Sequence, residues 1–374
     1  MCLSAPSCCS HSGPFVPVPF HCIVPPHMLE VLTMRGDAKT AKAAREQIAI
    51  AARAREERSQ QSNLRMLPAG AETAAAFVTP AAIAAAPVRN LDRAVHDGKQ
   101  KAALPGTLVR SEGDGPSGDD DVDMAYDSAK QVYDLYFAEF GRDSIDGMGM
   151  KLIQTVHHRR KFNNAFWDGT QMAYGDGDGK IFSTFLELSV IGHEMSHGVV
   201  QFSGGLVYEG QSGALNESFA DVFGAIVKQH ATGESVDHSD WLIGKAILGP
   251  DINGSALRSM KAPGTAYSDA VLGQDPQPYH MDFYVNTTSD NGGVHINSGI
   301  PNHAFYLYCQ YMGGNAWEKP GQIWYHALQR LNNPNAVFHD WATQTMESAM
   351  ELYGIGSMDA KLLRRAWKLV GIEV

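Results

Sequence analysis

Cysteine is scarce in this chain and placed badly for a disulfide framework. Five occur in 374 residues; Cys2, Cys8, Cys9 and Cys22 all precede residue 23, and Cys309 stands alone. The bulk of the chain therefore has no internal disulfide, as expected of a protein made in a reducing compartment. No apolar run approaches the ~18 residues of a membrane-spanning helix. The N-terminus lacks a basic stretch leading into an apolar one, so no standard secretory signal is expected. Synthesis in the cytoplasm follows, with any secretion by a route other than Sec. Positive charge is also in deficit, with 30 Lys and Arg against 41 Asp and Glu and a formal net charge of −11. That balance argues against nucleic acid or an anionic membrane as the main partner.

What is present centres on Val190-Ile191-Gly192-His193-Glu194-Met195-Ser196-His197-Gly198, which reads H-E-x-x-H. Histidines four apart on a helix share one face, so both imidazoles reach one metal ion at about 2.0–2.1 Å. Glu194 lies one step round, beside the ion, where a carboxylate can take a proton from bound water. A catalytic zinc site usually has three protein ligands and one open position. Twenty residues after His197 stands Glu217, in Asn216-Glu217-Ser218-Phe219-Ala220-Asp221. Glu217 and Asp221 share a face of a second helix. Glu217 is the candidate third ligand, and Asp221 can accept the free N–H of a ligating histidine. The bland alternative is a chance match on an amphipathic helix with two solvated carboxylates.

These blocks resemble the thermolysin-like zinc metallopeptidases. The resemblance runs from about Leu104 to the C-terminus. It includes Asn163–Trp167, Gly175–Gly179, Ser212–Glu217 and Asp290–Gly299. Ile23-Val24-Pro25-Pro26-His27-Met28-Leu29 looks like the short propeptide of the protealysin subgroup. The resemblance implies a neutral endopeptidase with one catalytic zinc on His193, His197 and Glu217, and Glu194 as general base. It implies His295 and Tyr208 as donors to the oxyanion, with Asp290 orienting His295. It further implies backbone pairing of an extended peptide at Asn164 and Ala165, and Arg258 on a substrate carbonyl. Val190, Ile243 and Leu257 match an apolar pocket for the residue after the cut. That predicts cleavage on the amino side of Leu, Ile, Phe and similar residues. The partners implied are protein or peptide substrates, with the chain's own propeptide in cis. The better-known members also carry a double calcium site built from five acids. Here the matching positions are Ser189, Lys228, Asp240, Leu242 and Lys245. One carboxylate beside two ammonium groups cannot hold two dications that need six to eight oxygen ligands, so that site is expected to be absent. An ion pair from Lys228 or Lys245 to Asp240 is expected in its place.

Two other classes compete. A catalytically dead zinc-binding protein is disfavoured by the retained Glu194, His295 and Tyr208. An exopeptidase is disfavoured because no cluster for gripping a terminal amine is visible.

Along the chain, residues 1–20 read as a disordered tail and 21–67 as the propeptide. Residues 68–200 read as an N-terminal lobe ending in the zinc helix, and 201–374 as a helical C-terminal lobe. The fold class is α+β, two-lobed, mainly β and then mainly α. Asp37 to Arg58, rich in Ala, Arg, Glu and Gln without Pro, predicts a helix. Residues 66–90, with Pro68, Pro80 and Pro87, read as a linker that begins with a processing site. Strands are expected near Leu108–Val109 and over Lys151–His158, with an edge segment at Asn163–Trp167 and a tight turn at Gly175–Gly179. Helices are expected over 122–140, 188–203, 213–230, 294–313, 319–331, 338–353 and 358–369. Cys22 could cap zinc as a thiolate; steric blockage of the site by residues 23–32 is the preferred reading.

Overall fold

The computed structural model describes residues 21–64 and 89–374. The expected tail and most of the linker lie outside the described residues. Strand β1 (His21–Cys22) leads into helices α1 (Pro26–Arg35) and α2 (Ala38–Leu64). Pro26 starts α1 in the first turn, where its missing N–H costs nothing. Met28, Leu29 and Leu32 form the buried side of α1. The Ala-rich α2 runs past the expected end at Arg58 to Leu64.

Five further strands follow: β2 (Arg93–Asp97), β3 (Thr107–Ser111), β4 (Leu152–Val156), β5 (Ala165–Trp167) and β6 (Met172–Tyr174). With β1 they form one sheet in the order β1-β5-β6-β4-β2-β3. Helix α3 (Asp120–Phe140) packs on this sheet, with Val122, Ala125, Ala129, Val132 and Tyr136 among its buried residues. The Asp119 side chain caps it, accepting from the Asp121 and Val122 N–H groups. Strand β2 had no counterpart among the expected strands.

Beyond Phe185 the chain is mainly helical. It forms α4 (Leu188–Gln201), α5 (Gly210–Thr232), α6 (Asp290–Asn297), α7 (Gly299–Met312), α8 (Lys319–Arg330), α9 (Phe338–Tyr353) and α10 (Met358–Leu369). A short pair, β7 (Leu242–Ile243) and β8 (Arg258–Ser259), lies between α5 and α6. The single helix expected over 294–313 is two, breaking at Ser298. Helix α6 is entered through Asp290-Asn291-Gly292-Gly293, all with positive φ. Two glycines there make such a left-handed run tolerable.

Helices α4 and α5 carry the motif residues, and glycine sets how closely they meet. A Cβ on Gly224 would lie 2.4 Å from the Ser189 carbonyl oxygen, and one on Gly192 would lie 3.1 Å from the Gly224 Cα. The two backbones therefore touch at their crossing, and side chains one turn away on each helix converge. Among the described residues no helix is long and apolar enough to cross a membrane.

Candidate metal centre and peptide cleft

His193 and His197 project from one face of α4, and Glu217 and Asp221 from one face of α5. All four are completely buried. The two Nε2 atoms lie 3.0 Å apart. Glu217 carboxylate oxygens are 3.6 Å from His193 Nε2 and 3.4 Å from His197 Nε2.

Hydrogen bonding on the far side of each ring shows what these atoms offer. His197 Nδ1 is 2.8 Å from Asn216 Oδ1, and His193 Nδ1 is 2.8 Å from Asp221 Oδ1. Both partners are acceptors, so each Nδ1 carries the proton and each Nε2 presents a lone pair. Glu217 Oε2 is buried without a hydrogen-bond donor. Two imidazole lone pairs and a carboxylate oxygen converging with no proton between them need an electrophile. The residues therefore fit a borderline-soft dication of the zinc type in tetrahedral geometry. Among the described residues His193, His197 and Glu217 form one such group, and Cys22 is not part of it.

Glu194 is also fully buried. Its Oε2 accepts from the Trp167 N–H at 3.0 Å, and its Oε1 has no partner. Burial first, and the Glu217 charge second, hold its carboxyl well above the usual range. A bound dication opposes both effects.

Across the centre, Tyr208 Oη donates to Glu217 Oε1 and lies 3.2 Å from His295 Nε2. Asp290 Oδ1 is 2.6 Å from His295 Nδ1, and its Oδ2 accepts from the His295 backbone N–H at 2.9 Å. Burial alone would lower the His295 pKa. Asp290, then Glu217, overcome it and raise the value above the ordinary one. Asp221 is gripped by Arg258 through Nε at 2.8 Å and Nη2 at 2.7 Å, and by Asn302 Nδ2 at 2.9 Å. Burial favours its neutral form, but Arg258 and His193 outweigh that and keep it an anion.

The cleft holds the chain's own N-terminal strand. β1 pairs antiparallel with β5, placing Cys22 opposite Phe166. Ile23 N–H donates to the Ala165 carbonyl at 3.2 Å, and Val24 N–H to Asn164 Oδ1 at 3.0 Å. Arg258 Nη1 donates to the Ile23 carbonyl at 3.1 Å, and His295 Nε2 lies 3.0 Å from the Cys22 carbonyl oxygen. Segment 163–167, expected at an edge, is thus covered by β1. The Cys22 side chain packs in a small apolar cluster with Ala51, Phe162, Phe166 and Ala173, so its carbonyl faces His295. Ile23 is fully buried in the same apolar core as Val190, Ile243 and Leu257.

His193, Glu194, His197, Tyr208, Glu217, Asp221, Arg258, Asp290 and His295 thus meet around one centre, Asn164 and Ala165 contact the N-terminal strand beside it, and Val190, Ile243 and Leu257 belong to the apolar core that also holds Ile23. Sequence reasoning missed Asn216, which orients His197, although it directly precedes Glu217. It also missed Asn302 on Asp221 and the Trp167 N–H on Glu194. A lone asparagine on a later helix and a backbone amide carry no sequence signal. Behind the centre, Lys228 Nζ and Lys245 Nζ lie 2.8 and 3.0 Å from the two Asp240 carboxylate oxygens. Both lysines pair, where one ion pair was expected.

The match to known proteins is broad. Residues 88–201 match the family description "Thermolysin metallopeptidase, catalytic domain", and 204–372 match "Thermolysin metallopeptidase, alpha-helical domain". The chain is 48% identical over 290 residues to the "Extracellular metalloprotease" of Pectobacterium carotovorum subsp. carotovorum, covering 77% of this chain and 83% of that protein. It is 47% identical over 288 residues to "Protease PrtS" of Photorhabdus sp., covering 76% and 77%. Among solved structures it matches the precursor of protealysin, a metalloproteinase from Serratia proteamaculans. That match has a TM-score of 0.81 and 39% identity and covers 94% of this chain and 99% of that one. This chain belongs to the thermolysin family of metallopeptidases.

Proposed function

We propose that the chain is a zinc endopeptidase made as a proenzyme, which cuts peptide bonds on the amino side of bulky apolar residues. The observation that carries this reading is the convergence of proton-free ligand atoms from His193, His197 and Glu217 beside the unpartnered Glu194 Oε1. Zinc held there supplies a Lewis acid and brings the pKa of a bound water from 15.7 toward about 7. Glu194 takes the proton of the attacking water and later hands it to the leaving amine. His295, kept charged by Asp290, and Tyr208 donate to the developing oxyanion. An extended substrate adds as a strand to β5, with Asn164 and Ala165 fixing its register and Arg258 holding the carbonyl after the cut. Val190, Ile243 and Leu257 receive the side chain that follows the scissile bond. Sequencing the products of a random peptide mixture tests the specificity. Cuts before Leu, Ile and Phe are expected, and cuts confined to charged positions would contradict it.

Residues 21 to about 67 act as the propeptide and hold the cleft shut by occupying it. His27 makes this latency sensitive to acid. The residue is partly exposed, but both ring nitrogens are buried without partners. Loss of hydration lowers its pKa from 6.5 to about 4; Asp290 pulls the other way, while His295 and Arg258 add to the lowering. A histidine neutral when docked takes up a proton on undocking. Docking is therefore undiminished above the ordinary pKa and weakens as pH falls from 6.5 toward about 4. The full swing is on the order of 3 kcal/mol. Activity of the full chain relative to the mature enzyme should rise roughly tenfold or more between pH 7 and pH 5. His27→Leu should flatten that ratio, and an equally steep ratio in the variant would contradict the assignment.

We also propose that the double calcium site is replaced by the Lys228–Asp240–Lys245 cluster. Partly exposed pairs of this kind contribute about 0–1 kcal/mol, so they do not match two bound ions. The thermal midpoint of the mature enzyme should stay nearly constant across a calcium titration. A large saturable rise, not abolished by substituting the acids at 119–123, would contradict this.

A further inference from the structure

We propose that the Cys22–Ile23 peptide bond is itself a substrate of this centre, hydrolysed in cis before the propeptide leaves. The inference rests on the peptidase reading above and adds a specific bond to it.

A segment that merely plugs a cleft needs no particular register. This one has the register of a bound substrate at four consecutive backbone groups. The Cys22 carbonyl oxygen lies 3.0 Å from His295 Nε2, which is itself 3.2 Å from Tyr208 Oη. The Ile23 N–H, the Ile23 carbonyl and the Val24 N–H are held by the Ala165 carbonyl, Arg258 Nη1 and Asn164 Oδ1 respectively. The side chain after the bond is isoleucine, fully buried in the apolar core that also contains Val190, Ile243 and Leu257. The antiparallel run of the chain on β5, the position of the carbonyl and the apolar side chain after it agree on one scissile bond.

One water is consumed. Its oxygen bonds to the Cys22 carbonyl carbon, the C–N bond to Ile23 breaks, and Glu194 passes the proton it took from the water to the Ile23 nitrogen. The products are a chain ending in the Cys22 carboxylate and a chain beginning at the Ile23 amine. Anchorage on the two sides is unequal. Among the described residues, His21 and Cys22 are the upstream ones that pair with β5. Downstream, Arg258 and Asn164 hold Ile23 and Val24, and buried Met28, Leu29 and Leu32 fasten α1. Held by these contacts, Ile23-Val24-Pro25-Pro26 stays in place after the cut as a product-type inhibitor. Cutting this bond trims the proenzyme without opening it.

The test is to purify the full chain in chelator, add zinc, and follow intact mass and the N-terminal sequence of every fragment. A new N-terminus at Ile23 is expected, with a half-time unchanged over a hundredfold range of protein concentration. Glu194→Gln should slow the cut at least a hundredfold, even when mixed with active wild-type enzyme. Ile23→Val should still be cut, and Ile23→Asp should not. A half-time that lengthens in proportion to dilution would overturn cleavage in cis. A wild-type preparation that hydrolyses an added leucine-containing peptide, yet yields only fragments with the 22–23 bond intact, would overturn the inference and leave the peptidase reading standing. A zinc-loaded, matured chain that cuts no peptide at all would overturn both.

Discussion

Glu194→Gln should keep its zinc and lose peptide hydrolysis by roughly a thousandfold, within the range for removing a positioned general base. Three facts set this expectation. Glu194 is not among the converging ligand atoms, so the metal site stays complete. Its Oε1 is buried and unpartnered, available to a proton. Its Oε2 accepts from the Trp167 N–H, a bond that an amide oxygen can also accept, so the fold should tolerate the change. The check is zinc content per chain measured beside the hydrolysis rate of one peptide. Full zinc with a near wild-type rate would mean that another group takes the proton.

Ile23→Asp should wake the proenzyme. Ile23 is fully buried in the apolar core, and the adjacent Arg258 is already paired with Asp221, so a carboxylate in place of Ile23 is desolvated with no uncommitted cation beside it. Burying an unpaired charge costs several kcal/mol. A loss of about 3 kcal/mol in docking shifts the open fraction by more than a hundredfold. The initial rate of the full chain on an added peptide should rise by at least tenfold, while the mature enzyme, lacking residue 23, is unaffected. An unchanged rate in the full chain would show that the strand does not control access.

The centre was legible because helical periodicity turns spacing into geometry. His193 and His197, and Glu217 and Asp221, are each four apart on a helix, and that alone puts each pair on one face. What spacing cannot give is which face meets which. That depends on Gly192 and Gly224 letting α4 and α5 touch, a contact between residues far apart in sequence. Helix ends between 319 and 369 were read closely, because amphipathic patterns ending at loops are strong local signals. The break at Ser298 was not read, since the apolar pattern runs on through it. Strand β1 was invisible for a related reason. Two residues cannot show an alternating pattern, and they become a strand only because β5 offers unpaired backbone groups at the cleft. The expectation of a steric block by residues 23–32 did not specify which groups meet the centre. The groups that engage the centre are the backbone of Cys22, Ile23 and Val24, and the Cys22 thiol is not among the converging ligand atoms.

The most direct measurement is hydrolysis of a single-bond peptide by the mature enzyme, stripped with chelator and titrated back with zinc. The rate should be absent in the stripped enzyme and should rise linearly to a plateau at one zinc per chain. His197→Ala should neither bind at that stoichiometry nor recover activity. Full activity in the stripped enzyme, or a plateau untouched by loss of His197, would contradict the assignment of His193, His197 and Glu217 as the centre of this protein.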